Sequence, residues 1–136
     1  MKKLHTILLI DDDQATNFIH KFVIEKVQCA ENIICMQSGQ EALDYLTSKI
    51  NDNYPQPDII FLDINMPGMN GWEFIEKYKK IDTKQKGKKI VVMLTTSSDP
   101  LDKEKAKAID QINKFISKPL TAEAIKTIIK ENFLEN

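Results

Sequence analysis

A short apolar run over residues 59–62 constrains the fold more than any other feature of the sequence. The run lies between Pro57 and Asp63 and has no helical stripe, which is typical of a strand buried on both faces of a parallel sheet. A turn-rich segment with one proline and two glycines follows over residues 64–71. Ligands of open α/β sheets bind beyond the carboxyl ends of the strands, so Asp63 is predicted either to join such a site or to cap the turn.

The same alternation of strand and helix runs through the whole chain. Four further apolar runs predict strands over residues 6–10, 33–36, 90–94 and 114–117. A stretch of helical periodicity follows each strand. These stretches begin at Asp13, Ser38, Gly71, Asp99 and Thr121. Five strand–helix repeats predict one α/β domain, with a parallel sheet covered by helices on both faces.

The helical periodicity also predicts which side chains face the core. On the first helix, the apolar positions at helical spacing are Phe18, Phe22, Val23 and Val27. On the other helices they are Ala42, Leu43, Leu46 and Ile50, then Trp72, Phe74, Ile75 and Tyr78, then Leu101, Ala108, Ile109 and Ile112, and last Ile125, Ile128, Ile129 and Phe133.

Composition limits the classes of protein to which the chain can belong. The 136 residues suit one domain, and 42% hydrophobic with 29% charged residues is ordinary for a globular protein. A net charge of −1 gives neither a basic surface for nucleic acid nor a polybasic membrane patch, and no apolar run is long enough to span a bilayer. Cys29 and Cys35 have no metal-ligand spacing and are predicted to be buried thiols in a reducing cytoplasm. The basic run over residues 82–89 is predicted to be a solvated loop.

Polar side chains follow four of the five predicted strands. Asp11 and Asp12 follow the first strand, Asp63 the third, Thr95 the fourth and Lys118 the fifth. Because parallel strands end at one edge of their sheet, these groups are predicted to meet at one site. Adjacent carboxylates repel one another, and a bound cation allows them to be buried together.

This set of groups suits phosphoryl transfer assisted by a divalent cation. Mg²⁺ prefers oxygen ligands and often binds through one or two carboxylates plus phosphate oxygens. A neutralised carboxylate can attack phosphorus, while Mg²⁺ and Lys118 supply positive charge and Thr95 donates a hydrogen bond. The sequence has neither a P-loop nor a dinucleotide fingerprint, so the phosphoryl group must arrive on a small molecule or a partner protein.

Four motifs occur in the order and spacing of a known family. They are Leu9-Ile10-Asp11-Asp12, residues 62–71, Leu94-Thr95 and Ser117-Lys118-Pro119. Together they resemble a response-regulator receiver domain of two-component signalling, of the single-domain chemotaxis-regulator type, across essentially the whole chain. The resemblance implies an α/β, flavodoxin-like, doubly wound sheet of five parallel strands in the order 2-1-3-4-5, with five helices. Chemotaxis receivers are themselves an example of this strand order.

The resemblance also implies roles for individual residues. Asp63 matches the aspartate that accepts the phosphoryl group, and Lys118 matches the lysine that contacts that group. Asp11 and Asp12 match the acidic pair that binds Mg²⁺, and Asn65 matches a metal ligand through its backbone carbonyl. The implied cofactor is therefore Mg²⁺, held by these two aspartates together with Asp63 and Asn65.

The implied switch lies on the fourth and fifth strands. Thr95 matches the switch hydroxyl, and Phe115 lies where the family has its switch aromatic residue. Inward movement of Thr95 would let Phe115 repack and would shift the surface formed by the fourth helix, fifth strand and fifth helix. The family often has a smaller residue where Thr96 stands, so Thr96 is expected to gate access to the site. Residues 95–100 also resemble stand-alone receivers found beside phytochrome-type kinases.

The resemblance implies a cytoplasmic signalling switch rather than an enzyme, one that catalyses its own phosphorylation and dephosphorylation. The implied phosphoryl donor is a sensor histidine kinase or a histidine phosphotransfer protein, with acetyl phosphate as a slow substitute. The implied output is to a downstream protein or to a second copy of the chain, without direct binding of nucleic acid or membrane. We expect a single receiver domain over residues 1–136 with no output domain.

Two other functions have partial support in the sequence. Phosphatases of the haloacid-dehalogenase type use an aspartyl nucleophile in an Asp-x-Asp-x-Thr/Val motif. Asp11 and Asp13 fit its two aspartates, but Ala15 stands at its last position and the chain has no room for the usual cap insertion. The second alternative, an inert pseudo-receiver binding module, has the same fold but does not require the intact set of five site residues.

Overall fold

Five strands and five helices alternate in the computed structural model, which describes residues 3–81, 89–96 and 99–133. The strands are β1 (Leu4–Ile10), β2 (Ala30–Met36), β3 (Ile59–Asp63), β4 (Ile90–Thr95) and β5 (Lys114–Ser117). The helices are α1 (Gln14–Val27), α2 (Gly39–Leu46), α3 (Gly71–Lys79), α4 (Pro100–Lys107) and α5 (Ala122–Asn132). The predicted basic loop lies outside the described residues except for Lys89, as do Ser97 and Ser98 after β4.

The strands form one parallel sheet in the order β2-β1-β3-β4-β5. The central strand β3 pairs with β1 on one side and β4 on the other, so that Ile60 lies opposite Leu8 and Val91. All five residues of β3 are buried, as expected for a strand covered by helices on both faces. The flavodoxin-like fold and the strand order implied by the resemblance are confirmed.

Alternate residues of the strands contribute to two cores, one on each face of the sheet. One face, which carries Ile60, Leu62 and Met93, packs against α2 and α3. The opposite face, which carries Phe61 and Val92, packs against α1 and α5. Packing on both sides fixes the strands, and the polar residues at their carboxyl ends are therefore held on a rigid frame.

Helix α1 is turned differently from its predicted orientation. The apolar spacing places Phe18 and Phe22 on the inward face, but these side chains are 71% and 53% exposed. The buried residues of α1 are Asn17, His20 and Ile24. The prediction was wrong for Phe18 and Phe22, whereas Val23 and Val27 are partly buried against the core as predicted. Asn17 Nδ2 and His20 Nε2 form hydrogen bonds to the backbone of neighbouring loops, which offset part of the cost of burying these polar groups.

Four other positions also differ from the predicted burial. Ile50 lies four residues beyond the end of α2 and is exposed, and Ala108 follows the end of α4 and is exposed too. Leu101, in the first turn of α4, is 75% exposed. Cys29 is buried as predicted, whereas Cys35 is exposed on β2. Helical periodicity predicts the wrong burial for Ile50 and Ala108 because the two helices end before these residues.

Side-chain caps fix where the helices begin. Asp13 caps α1 as predicted, since its carboxylate accepts a hydrogen bond from the Ala15 N–H. Asn70 and Glu73 form a reciprocal capping box at α3, which starts that helix directly after the turn following β3. In the part of the chain that the structure describes, no helix has the length and apolar character needed to cross a bilayer.

Candidate functional site

Lys118 bridges two buried carboxylates at the carboxyl edge of the sheet. Its Nζ atom lies 2.6 Å from Asp11 Oδ2 and 3.1 Å from Asp63 Oδ1. Asp11 and Asp63 are only 4% and 6% exposed, and they follow or end the neighbouring strands β1 and β3. Lys118 follows β5, so the topology of the sheet brings together groups that are far apart in sequence. Each buried charge thereby gains a partner, without which its burial would be strongly destabilising.

Asp12 adds a third carboxylate to this site. One carboxylate oxygen each of Asp11, Asp12 and Asp63 lies within 4.8 Å of the other two. Asp12 is exposed whereas the other two are buried, so the cluster is open to solvent at Asp12. One lysine cannot neutralise three carboxylates, and the remaining repulsion favours a bound cation. A close set of carboxylate oxygens fits a hard cation such as Mg²⁺.

The charges in the site shift the ionisation of its members. Burial and then repulsion by Asp11 raise the pKa of Asp63 above its usual range, and Lys118 opposes that shift. Burial acts to lower the pKa of Lys118, but its hydrogen bonds to Asp11 and Asp63 outweigh burial and the pKa rises. Lys118 therefore remains a full cation at pH 7. The carboxylate of Asp63 is poorly stabilised, so it benefits from any added positive charge.

The turn after β3 brings α3 close to the backbone of Asp63. The Gly71 N–H donates a hydrogen bond to the Ile64 carbonyl at 2.8 Å. A Cβ atom at Gly71 would lie 2.6 Å from the Asp63 carbonyl oxygen, which leaves room only for glycine. Gly68 in the same turn has a φ of 79°, a conformation that favours glycine. Asn65 lies exposed in this turn, two residues after Asp63.

Thr95 is fully buried at the end of β4. Its carbonyl accepts a hydrogen bond from the Lys118 N–H at 2.8 Å, which ties the end of β4 to the loop after β5. Thr95 lies opposite Ser117, and Phe115 lies opposite Met93 on the same face of the sheet as Thr95. Phe115 is partly buried against the core on that face. The predicted switch pair is thus on adjacent strands and on one face.

Thr96 lies at the rim of the site. Its exposed side chain lines a cavity of about 270 Å³ together with Ile19, His20, Lys118 and Pro119. This cavity borders the loop that carries the Lys118 ammonium. A bulkier or smaller residue at this position would therefore alter one approach to Lys118, and the gating role of Thr96 stays a prediction.

Two buried polar residues of α1 support the site, and the apolar pattern does not single them out. Asn17 Nδ2 donates hydrogen bonds to the carbonyl oxygens of Asp11 and Met36, at 2.9 and 3.3 Å. His20 Nε2 accepts a hydrogen bond from the Leu120 N–H at 3.3 Å. Asn17 and His20 lie three residues apart, which puts them on one face of the helix. That spacing is the signal by which the sequence could have revealed them.

The match to a protein family covers most of the chain. Residues 7–130 match the family model of the response regulator receiver domain. Among curated proteins, the hybrid signal transduction histidine kinase L of Dictyostelium discoideum is 30% identical over 131 residues. That alignment covers 96% of this chain but only 7% of the kinase. Receiver domains accept phosphoryl groups from histidine kinases, bind Mg²⁺ at an acidic pocket and act on downstream targets.

Solved structures agree with this match. A two-component response regulator from Cytophaga hutchinsonii is 38% identical, with a TM-score of 0.82 over 96% of this chain and 97% of that one. The bacteriophytochrome response regulator AtBRR is 28% identical, with a TM-score of 0.77 over 95% of this chain and 92% of that one. These findings establish that the chain belongs to the response regulator receiver domain family.

Proposed function

We propose that this receiver accepts a phosphoryl group on Asp63 from a phosphohistidine of a sensor histidine kinase or a histidine phosphotransfer protein. The observation that carries the proposal is the position of Lys118, whose ammonium contacts both Asp63 and Asp11. A cation 3.1 Å from the Asp63 carboxylate is within reach of a phosphoryl group on that carboxylate. The buried cluster thus supplies both a nucleophile and a cation that stabilises the transferred group.

The proposed reaction is a displacement at phosphorus. A carboxylate oxygen of Asp63 attacks the phosphorus, and the P–N bond of the donor phosphohistidine breaks as the new O–P bond forms. The electron pair of the broken bond leaves on the imidazole nitrogen, which is then protonated. The product is an acyl phosphate on Asp63, beside the Lys118 ammonium.

The acidic cluster suits Mg²⁺ in this role. The carboxylates of Asp11, Asp12 and Asp63 would hold the ion, together with the backbone carbonyl of Asn65 in the turn after β3. When bound, Mg²⁺ supplies positive charge to the phosphoryl oxygens. Without it, Lys118 alone faces three carboxylates, which leaves the site with a net negative charge that opposes an anionic donor.

Labelling by a phosphoryl donor separates this function from its two alternatives. Acetyl phosphate with Mg²⁺ should add one phosphoryl group per chain, because the receiver itself supplies the groups for the transfer. Steady release of phosphate from small esters, without a stable labelled protein, would support a phosphatase of the haloacid-dehalogenase type. Absence of labelling by acetyl phosphate and by phosphorylated donor proteins would support an inert binding module.

Mg²⁺ is expected to stabilise the native protein. A ligand that binds only the native state adds about 2.7 kcal/mol to the free energy of unfolding at about a hundred times its Kd. Asp12→Ala should weaken this response to Mg²⁺, and in Mg²⁺-free buffer it should unfold at a higher temperature than wild type because it relieves repulsion. Thermal unfolding across a Mg²⁺ titration measures both effects.

The control for this prediction is Glu31→Ala, which removes an exposed carboxylate near the start of β2. The start of a strand lies at the end of the sheet opposite to the acidic cluster. It should keep the full response to Mg²⁺. A wild-type thermal midpoint that ignores Mg²⁺ would show that the assignment of the acidic cluster as a metal site is incorrect.

The proposed output is a change in packing between β4 and β5. A phosphoryl group on Asp63 gives the Thr95 hydroxyl a new acceptor, and inward movement of Thr95 frees space on the face that Phe115 shares. Phe115 has no hydroxyl, so turning it inward buries no unpaired polar group. The surface formed by α4, β5 and α5 would then change shape and bind a downstream protein or a second copy of the chain.

Removing the Thr95 hydroxyl is expected to uncouple the site from this surface. Beryllofluoride, a phosphoryl mimic, should shift the amide resonance of Phe115 and alter partner binding or dimerisation in wild type. Thr95→Ala should bind the mimic but lose most of that response, while Thr95→Ser keeps the hydroxyl and retains it. A full response in Thr95→Ala would refute this switch.

A further inference from the structure

The inward face of α1 carries two polar residues, Asn17 and His20. His20 is only 2% exposed and Asn17 only 3%, whereas the large apolar residues Phe18 and Phe22 on the same helix face solvent. Burying an imidazole and an amide in place of available apolar side chains is unfavourable unless their hydrogen bonds are satisfied. Asn17 Nδ2 and His20 Nε2 form such bonds with the backbone of Asp11 and Leu120, beside site residues. Among the described residues, the buried Asn17 Oδ1 has no hydrogen-bond partner.

His20 contacts the loop that carries Lys118. Its Nε2 atom accepts a hydrogen bond from the N–H of Leu120, a buried residue two positions after Lys118. The same loop is held at its other end, where the Lys118 N–H donates to the Thr95 carbonyl at 2.8 Å. Pro119 lies between these two donors and has no N–H of its own. The backbone around Lys118 is therefore fixed by one hydrogen bond on each side.

The protonation state of the His20 ring is compatible with this contact. Burial, and then the positive charge of Lys118, lower the pKa of His20, so the ring is neutral at pH 7. A neutral ring that accepts at Nε2 carries its proton on Nδ1. Asn17 acts similarly at the other side of the site, since it donates to the carbonyl oxygen of Asp11. Helix α1 thus contacts both loops whose side chains form the Asp11–Lys118 ion pair.

We propose that His20 is a positioning residue for phosphoryl transfer, because its hydrogen bond to Leu120 holds the loop that aims the Lys118 ammonium at Asp63. The inference rests on the proposed function for its role in the reaction. It does not make His20 a catalytic residue, since its contact with the reacting groups runs through the backbone of the loop.

Three substitutions of His20 and one control at Ile24 separate this role from packing alone. His20→Leu and His20→Phe fill the core but cannot accept a hydrogen bond. His20→Gln retains an acceptor oxygen on a side chain of similar reach. Ile24→Val, one turn further along the same buried face, perturbs packing without touching the loop.

Two measurements are made on each protein, and the first does not depend on phosphorylation. In the unphosphorylated protein, we expect the Leu120 amide to exchange with solvent about tenfold faster in the Leu and Phe variants. The rate of labelling of Asp63 by acetyl phosphate with saturating Mg²⁺ should fall by a similar factor of about ten in these variants. His20→Gln and Ile24→Val should stay close to wild type in both measurements.

The outcomes distinguish the failure of this inference from that of the proposed function. Wild-type rates in the Leu and Phe variants, or an equal loss in the Gln variant, would overturn the positioning role and leave His20 as core packing. If wild type is not labelled at all, the proposed function fails and with it the link to phosphoryl transfer. The amide exchange then still decides whether His20 holds the loop.

Discussion

Replacing Asp63 with Asn is expected to abolish phosphoryl acceptance while leaving the fold intact. An amide is not a nucleophile toward phosphorus, whereas it has almost the size and shape of the carboxylate it replaces. Removing one of three clustered negative charges also relieves repulsion, so the variant should fold at least as well as wild type in Mg²⁺-free buffer. Intact-mass spectrometry after treatment with acetyl phosphate and Mg²⁺ should show one added phosphoryl group on wild type and none on Asp63→Asn.

Asp58→Asn is the matched control for this result. Asp58 precedes the opposite end of the same strand, where its carboxylate accepts a hydrogen bond from the His5 N–H at 2.7 Å. An Asn oxygen can still accept that bond, so the control should be labelled as fully as wild type. Equal labelling of Asp63→Asn and wild type would mean that the phosphoryl group goes elsewhere.

Replacing Lys118 with Met is expected to damage both stability and labelling. Removing one partner of a buried ion pair costs about 3–5 kcal/mol, because the buried carboxylates of Asp11 and Asp63 lose the cation that Lys118 supplied. The labelling rate should fall about a hundredfold, the usual cost of removing one charge-stabilising group from a site of this kind. Urea unfolding with and without Mg²⁺ measures the first effect, and Mg²⁺ should restore part of the lost stability because it replaces some of the missing positive charge.

Lys114→Met provides the comparison, since Lys114 at the start of β5 forms an ion pair with Glu131 of α5 at 3.0 Å, where the two side chains are 32% and 55% exposed. An exposed pair of this kind contributes about 0–1 kcal/mol, so its loss should change neither stability nor labelling to a comparable extent. A similar loss of stability in the two variants would show that the buried ion pairs of Lys118 contribute no more to the free energy of unfolding than the exposed pair of Lys114.

The fold and the location of the site could be predicted because both depend on simple periodicities. Buried parallel strands appear as continuous apolar runs, and their carboxyl ends meet at one edge by topology. The structure accordingly brings Asp11, Asp12, Asp63 and Lys118 together from three strand ends. These rules need no knowledge of side-chain packing, so they can predict the fold and the location of the site from the sequence.

The orientation of α1 could not be predicted in this way because two helical faces compete. Phe18 and Phe22 form one apolar stripe, and Asn17, His20 and Ile24 form another stripe that is partly polar. Periodicity favours the first, but the second is buried because Asn17 Nδ2 and His20 Nε2 form hydrogen bonds with loop backbone outside the helix. Only the tertiary structure shows that Leu120 and Asp11 offer those partners.

The most direct test of the central claim is to locate the phosphoryl group chemically. An acyl phosphate on an aspartate is reduced by borohydride to homoserine, whereas phosphate esters of serine and threonine are not. Wild-type protein would be treated with acetyl phosphate and Mg²⁺, reduced, digested and sequenced by tandem mass spectrometry. The proposed function predicts homoserine at position 63 and at no other aspartate. Homoserine at position 11 or 12 would contradict the claim that Asp63 is the phosphoryl acceptor. A labelled protein that yields no homoserine would contradict it as well.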